Sequence, residues 1–259
     1  MEYFVYHFQV FLLIMMRMNA MMVVAPFYSS GVFPFKMRTL MSFLVTIVIF
    51  PIIASRGYTL PGNMGAYALL VLQEVTIGIF IGFLINLIFA AFQLSGQLFS
   101  VQMGFGINEV LDPIGQVSIP LIGQLKNLIG LLVFLAINGH HFLIKAVFRS
   151  YELVPLIELT RNTTGGMIKF MMHSFSGMFI VALKIALPVL GTLFLVTVTM
   201  GILAKAAPQM NIMMLGFPFQ IVVAFGVLVL ITPLIVRIMH VALERGFVFL
   251  TKVLIHWPT

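Results

Sequence analysis

The sequence contains no cysteine, which excludes disulfides, thiolate metal sites and cysteine nucleophiles and says little about compartment. It is also poor in charge. Asp, Glu, Lys and Arg make up 8% of the 259 residues, against about a quarter in an ordinary soluble domain. Apolar residues reach 61%, and the mean hydropathy is +1.15. A soluble domain could not cover such a surface with polar groups, so the composition describes a polytopic membrane protein. No polar stretch is long enough for a separate soluble domain, and residues 1–259 read as one integral unit. A nucleophile elbow, an HExxH pair, a Walker loop and a Gly-rich dinucleotide turn are all missing. No carboxylate pair sits at helical spacing within an apolar segment. These absences argue against an enzyme, and no catalytic, cofactor-binding or metal residues are expected. The N-terminus, Met1-Glu2-Tyr3-Phe4, lacks a basic leader and an early small-residue cleavage site, and reads as a retained helix.

The net charge is +7, but the basic residues are dispersed. That pattern does not suit nucleic acid and does suit anchoring beside anionic lipid head groups. Met (19) and Phe (26) are plentiful, and Met adapts to irregular gaps in a membrane interior.

A helix needs about 20 apolar residues to cross a bilayer core. Six segments meet or approach this. The first runs from about Tyr3 to Ala25 with Arg17 inside it, and Pro26 ends it. The second, about Thr39 to Ala54, is short and contains Pro51. The third begins near Ala66 and could continue to Met103. As one helix it would measure roughly 57 Å against a core of about 30 Å, so it either breaks near Ser95-Gly96-Gln97 or projects from the bilayer. One of its faces carries Glu74, Gly78, Gly82, Asn86 and Ala90 at four-residue spacing, continued by Gln93 and Gln97. Small residues so spaced let another helix approach closely. The stripe is therefore a packing face, and Glu74 and Asn86 could also meet a partner subunit or an aqueous path.

Between the third and fourth segments lies Met103 to Gly123, with four glycines and two prolines. Glycine supplies unusual backbone angles and proline removes a donor, so this is an irregular loop turning at Asp112-Pro113. With Glu109 and Asp112 it is the most polar stretch near the middle of the chain, and it is a candidate to line or close a path. The fourth segment, about Pro120 to Val147, is interrupted at Asn138-Gly139-His140-His141. Adjacent histidines point to different helix faces and make a poor metal pair. Arg149 to His173 reads as a solvated connection. The fifth segment, about Phe175 to Leu203, carries Lys184 four residues before Pro188, where a kink is expected because proline leaves the Lys184 carbonyl without its helical donor. A tight connection from Ala204 to Asn211 leads to the sixth, about Ile212 to Val236, and to an amphipathic tail in which Trp257 suits an interface anchor.

Charges inside a membrane segment are costly and usually face protein or water. Glu74 and Lys184 are the deepest opposite pair, and are candidates to pair with each other or each with a different subunit. Arg17 is a third. Snorkelling to the interface is open to Arg17 and Lys184, not to short Glu74. The excess of Arg and Lys in the even loops places both termini in the cytoplasm by the positive-inside rule.

The run Gly201-Ile-Leu-Ala-Lys-Ala-Ala-Pro-Gln-Met-Asn211 followed by Gly216-Phe-Pro218 is the most specific motif. Supporting it are Arg17 with Ala25-Pro26-Phe27, Glu74 with Gly78-Ile-Phe-Ile-Gly82, Asp112-Pro113, Asn138-Gly139-His140 and Lys184-Ile-Ala-Leu-Pro188. Over nearly its full length the sequence resembles the FliR family of flagellar type III secretion proteins and their injectisome counterparts. The resemblance implies an all-α membrane protein, with a FliP-like part over residues 1–174 fused to a FliQ-like hairpin and tail over residues 175–259. It implies a non-enzymatic, single-copy subunit of an export gate built with FliP and FliQ and joined by FlhB. That gate lies in the inner membrane at the flagellar basal body and passes unfolded flagellar export substrates. In this family pattern Gly104, Phe105, Gly106, Ile107, Asn108, Glu109, Asp112, Pro113 and Gly115 match a plug loop. Arg17, Glu74 and Lys184 become charges at subunit interfaces. Lys205, Pro208, Gln209 and Asn211 form a hairpin tip facing the cytoplasm, opposite to the side the charge count gives. The competing expectation is a stand-alone secondary carrier with Glu74 and Lys184 at an intramembrane site.

Overall fold

The computed structural model describes residues 2–31, 33–57, 60–103, 121–154, 161–207, 209 and 212–257. Among them are seven helices and no strand. They are α1 (Glu2–Val24), α2 (Phe35–Ala54), α3 (Met64–Gln102), α4 (Leu121–Ala136), α5 (Gly139–Leu153), α6 (Arg161–Ala206) and α7 (Ile212–Ile255). Five helices are long and apolar enough to cross a membrane, and α4 with α5 passes the same test as a bent pair. The protein is an all-α, multi-pass membrane protein, as its composition requires.

Three helices exceed the bilayer. α3, α6 and α7 have 39, 46 and 44 residues, or about 58, 69 and 66 Å, against a hydrocarbon core of about 30 Å. α3 runs unbroken through Ser95-Gly96-Gln97, which rules out the expected break. Two further boundaries differ from the sequence reading. α6 begins at Arg161, so the second half of the expected solvated connection is helical. α7 runs unbroken from Ile212 to Ile255, joining the sixth segment to the tail. Charged side chains lowered the apparent periodicity there, yet Lys, Arg and Glu are good helix formers. α2 keeps Pro51 in its last turn, where few intrahelical bonds remain to be lost. The chain leaves it through Gly57 at φ 66°, a backbone angle that favours glycine.

The helices build two compact units. Unit 1 comprises Met1–Leu87, Phe134–Phe175 and Leu243–Thr259, and unit 2 comprises Ile88–Val133 and Ser176–Ala242. In unit 1, α1 buries Leu13, Ile14, Met18, Met21 and Met22, while α3 buries Ile77, Phe80, Ile81, Leu84 and Ile85. Their spacing of three and four is that of helical stripes facing each other. Trp257 is buried here, edge-on to Phe80 with ring centroids 5.6 Å apart. This corrects its expected role as an interface anchor, because the indole packs inside the unit. In unit 2, α6 buries Ala182, Ile185, Ala186, Val189 and Leu193, while Phe179, Leu183, Leu187 and Phe194 on the same helix stay exposed.

Candidate functional site

The strongest polar feature lies in unit 1. Arg17, about two thirds of the way along α1, is completely buried. Its Nε donates to Glu74 Oε2 at 2.6 Å and its Nη2 to Glu74 Oε1 at 2.7 Å, a two-pronged match of guanidinium to carboxylate. Nη1 donates to Ser150 Oγ at 2.8 Å, and that hydroxyl donates to the Val147 carbonyl at 2.6 Å. Longer bonds of 3.4 Å join Nη1 and Nη2 to the Val154 carbonyl. A cation at this end of α5 also complements the helix dipole. The ring of Tyr151 lies 3.9 Å from the guanidinium carbon, and its hydroxyl donates to the Ile14 carbonyl at 3.3 Å. One arginine thus ties α1, α3 and α5 together. Taking two charges out of water is expensive, and only close, fully hydrogen-bonded geometry of this kind offsets it.

This geometry corrects two expectations. Arg17 does not snorkel, and Arg17 and Glu74 do not face a neighbouring subunit, because they satisfy each other inside one chain. Glu74 is likewise unavailable to Lys184, which is exposed on α6.

The small-residue stripe on α3 explains how Glu74 reaches its partner. A methyl carbon added to Gly78 would collide with the Arg17 carbonyl oxygen and lie 2.8 Å from Ala20 Cβ. One added to Gly82 would lie 2.9 Å from the Met21 carbonyl oxygen and 3.1 Å from Val24 Cβ. The stripe therefore packs on α1, and the missing side chains draw α3 close enough for Glu74, one turn before Gly78, to meet Arg17. Asn86 and Ala90 continue the stripe half-buried.

At the interruption in the fourth segment, α4 and α5 meet at a bend of 67°. Asn138 sits in the left-handed region at φ 56°, ψ 34°, where asparagine is among the few residues tolerated. Its carbonyl accepts from the amides of His141 and Phe142, both at 3.1 Å, and starts α5 in a new direction. Gly139 follows because a larger residue would strike the Phe134 ring. No group of metal-ligating side chains occurs among the described residues.

In unit 2, α4 presents a buried lysine that sequence reading passed over. Lys126 is 2% exposed. Its Nζ donates to Ser95 Oγ of α3 at 3.1 Å and lies 3.3 Å from the centroid of the Phe99 ring. Its neighbours on α4, Gly123 and Gly130, repeat the helical spacing that marked the α3 stripe, and this was the available signal. Lys205 and Gln209 are exposed at the end of α6 and beyond it. The expected plug residues, Gly104 through Gly115, lie outside the described residues, as do Pro208 and Asn211.

A family model for bacterial export proteins, family 1, matches residues 8–246. The flagellar biosynthetic protein FliR of Bacillus subtilis is 31% identical over 226 residues, covering 86% of this chain and 85% of the relative. The protein of the same name from Escherichia coli is 27% identical, covering 85% and 83%. That of Buchnera aphidicola is 27% identical over 243 residues, covering 93% and 92%. With a family match across nearly the whole chain and a relative of this identity and coverage, the chain belongs to bacterial export protein family 1, alongside the FliR proteins.

Proposed function

We propose that the protein is a component of the bacterial flagellar export apparatus. In this reading it is a non-enzymatic subunit of the export gate and forms, with FliP and FliQ, the channel through which unfolded flagellar subunits cross the inner membrane. FlhB joins that core, and the central loop, with its plug residues from Gly104 to Gly115, closes the channel at rest. The observation that carries the proposal is the family match over residues 8–246. The helices support it physically. α6 and α7 are far longer than a bilayer needs, and they leave Phe179, Leu183, Leu187, Phe194, Val222 and Leu230 exposed within the chain. Long apolar surfaces of this kind are covered when helices of other subunits lie alongside them.

The carrier alternative loses its main support, since a transport site needs a carboxylate free to exchange partners. Both oxygens of Glu74 are committed to Arg17. Expression alone and together with FliP and FliQ tests the proposal. A gate subunit accumulates only with its partners. A chain equally abundant and monodisperse by itself would count against the gate.

A further inference from the structure

Where α3 approaches its end and α4 begins, the two helices touch through glycine. A methyl carbon added to Gly96 would collide with Cα of Gly123 and lie 2.6 Å from its backbone nitrogen. One added to Gly123 would come within 3.2 Å of the Gln93 carbonyl oxygen, and one on Gly130 would lie 2.5 Å from Cδ2 of Phe92. Gly123, Lys126 and Gly130 share one face of α4, and Phe92, Ser95, Gly96 and Phe99 share one face of α3, each at spacings of three and four. Lys126 sits inside this seam. Its amine donates to Ser95 Oγ at 3.1 Å, and Ser95 donates onward to the Phe92 carbonyl at 2.7 Å. The ring of Phe99 covers it at 3.3 Å.

Among the described residues, the partners of Lys126 are Ser95 and Phe99 of α3, and unit 2 holds no carboxylate. Its described contacts, to Ser95 and Phe99, exist only while α3 and α4 stay together. An apolar side chain of similar length would fill the same space without that dependence. A seam meant only for packing would gain from such a replacement, because taking an amine out of water costs more than its one hydrogen bond returns.

We propose that Gly96, Gly123 and Lys126 form a clasp that sets the separation of α3 and α4, and that Lys126 is a positioning residue for the export path. The clasp holds the two helix ends that flank residues 104–120 in the sequence. The inference rests on the gate reading above and deepens it.

The absence of native cysteine allows a direct test in the complex with FliP and FliQ. Val101 and Leu121 are 70% and 73% exposed near the two helix ends. Spin labels at Val101→Cys and Leu121→Cys report their distance by pulsed electron resonance. With the clasp intact the distribution is narrow. In Gly96→Val it lengthens by about 2–4 Å, toward the separation of ordinary helix pairs. In Lys126→Met it broadens, and in Lys126→Arg, which can still donate to Ser95 and stack on Phe99, it returns toward the original. Ion leak through vesicles holding equal amounts of complex follows the same order. Unchanged distances and leak in both Gly96→Val and Lys126→Met would overturn the clasp. Deleting residues 106–118 separates the two ideas. A leak on deletion with none in the clasp variants removes the clasp and leaves the plug. No leak on deletion removes the plug, and the label distances then judge the clasp alone.

Discussion

Arg17 and Glu74, separated by 57 residues in sequence, meet in two parallel hydrogen bonds of 2.6 and 2.7 Å where neither side chain reaches solvent. Ser150 and the Val154 carbonyl complete the shell on the other side of the guanidinium. Removing one partner leaves a buried charge unanswered. Arg17→Met or Glu74→Gln should each destabilise the protein by about 3–5 kcal/mol, whereas the double variant Arg17→Met with Glu74→Leu should recover most of that loss. Thermal unfolding of the detergent-extracted complex reads all three. A double variant no better than the singles would show that the pair is not the main partner of either residue.

Gly78 places α3 against the backbone of α1 at Arg17 itself. Gly78→Val therefore has no route to relax other than moving the helices apart, which also withdraws Glu74 from Arg17. Folded protein should fall severalfold, while Gly62→Ala, with open space around it, should leave the yield unchanged. Fluorescence-detected size-exclusion chromatography of tagged variants measures both.

Residues 106–118 serve as the plug in the proposed gate. Their deletion should leave assembly with FliP and FliQ intact and make the membrane leak ions or small solutes. Growth and dye-uptake assays in cells expressing the deleted chain measure this, and a tight membrane would remove the plug role.

Lys184 is exposed on α6 within an apolar span. A lone charge there is costly unless another subunit or water meets it. Lys184→Leu should lower recovery of the hetero-oligomer several-fold and leave the fold of the chain unchanged. Pull-down through tagged FliP compares the two, and equal recovery would rule out an interface role for the amine.

Local chemistry made part of this structure legible in the sequence. Asn138-Gly139 marked an interruption in the fourth segment, open to reading as a kink or an interfacial end, and the left-handed asparagine makes it the bend between α4 and α5. The four-residue stripe through Gly78 and Gly82 announced close packing. It could not say which helix would approach, since that depends on contacts across long stretches of chain. The same limit hid the partner of Glu74. Pairing it with Lys184 or with another subunit was as consistent with spacing as the Arg17 contact that occurs. Lys126 escaped notice because a lysine near a helix start usually lies at the interface. Burial between two glycine contacts from α3 is a tertiary fact. The residues from Arg161 to His173 looked like a connection because Asn162, Thr163, Thr164, Gly165 and Gly166 are poor helix formers, yet they form the start of α6.

The most direct measurement is native mass spectrometry of the tagged chain, co-expressed with FliP, FliQ and FlhB and extracted in mild detergent. The gate reading predicts one copy of this chain within a larger hetero-oligomer containing several copies of its partners. A stable monomer or homodimer, free of FliP and FliQ and unaffected by their presence, would contradict it.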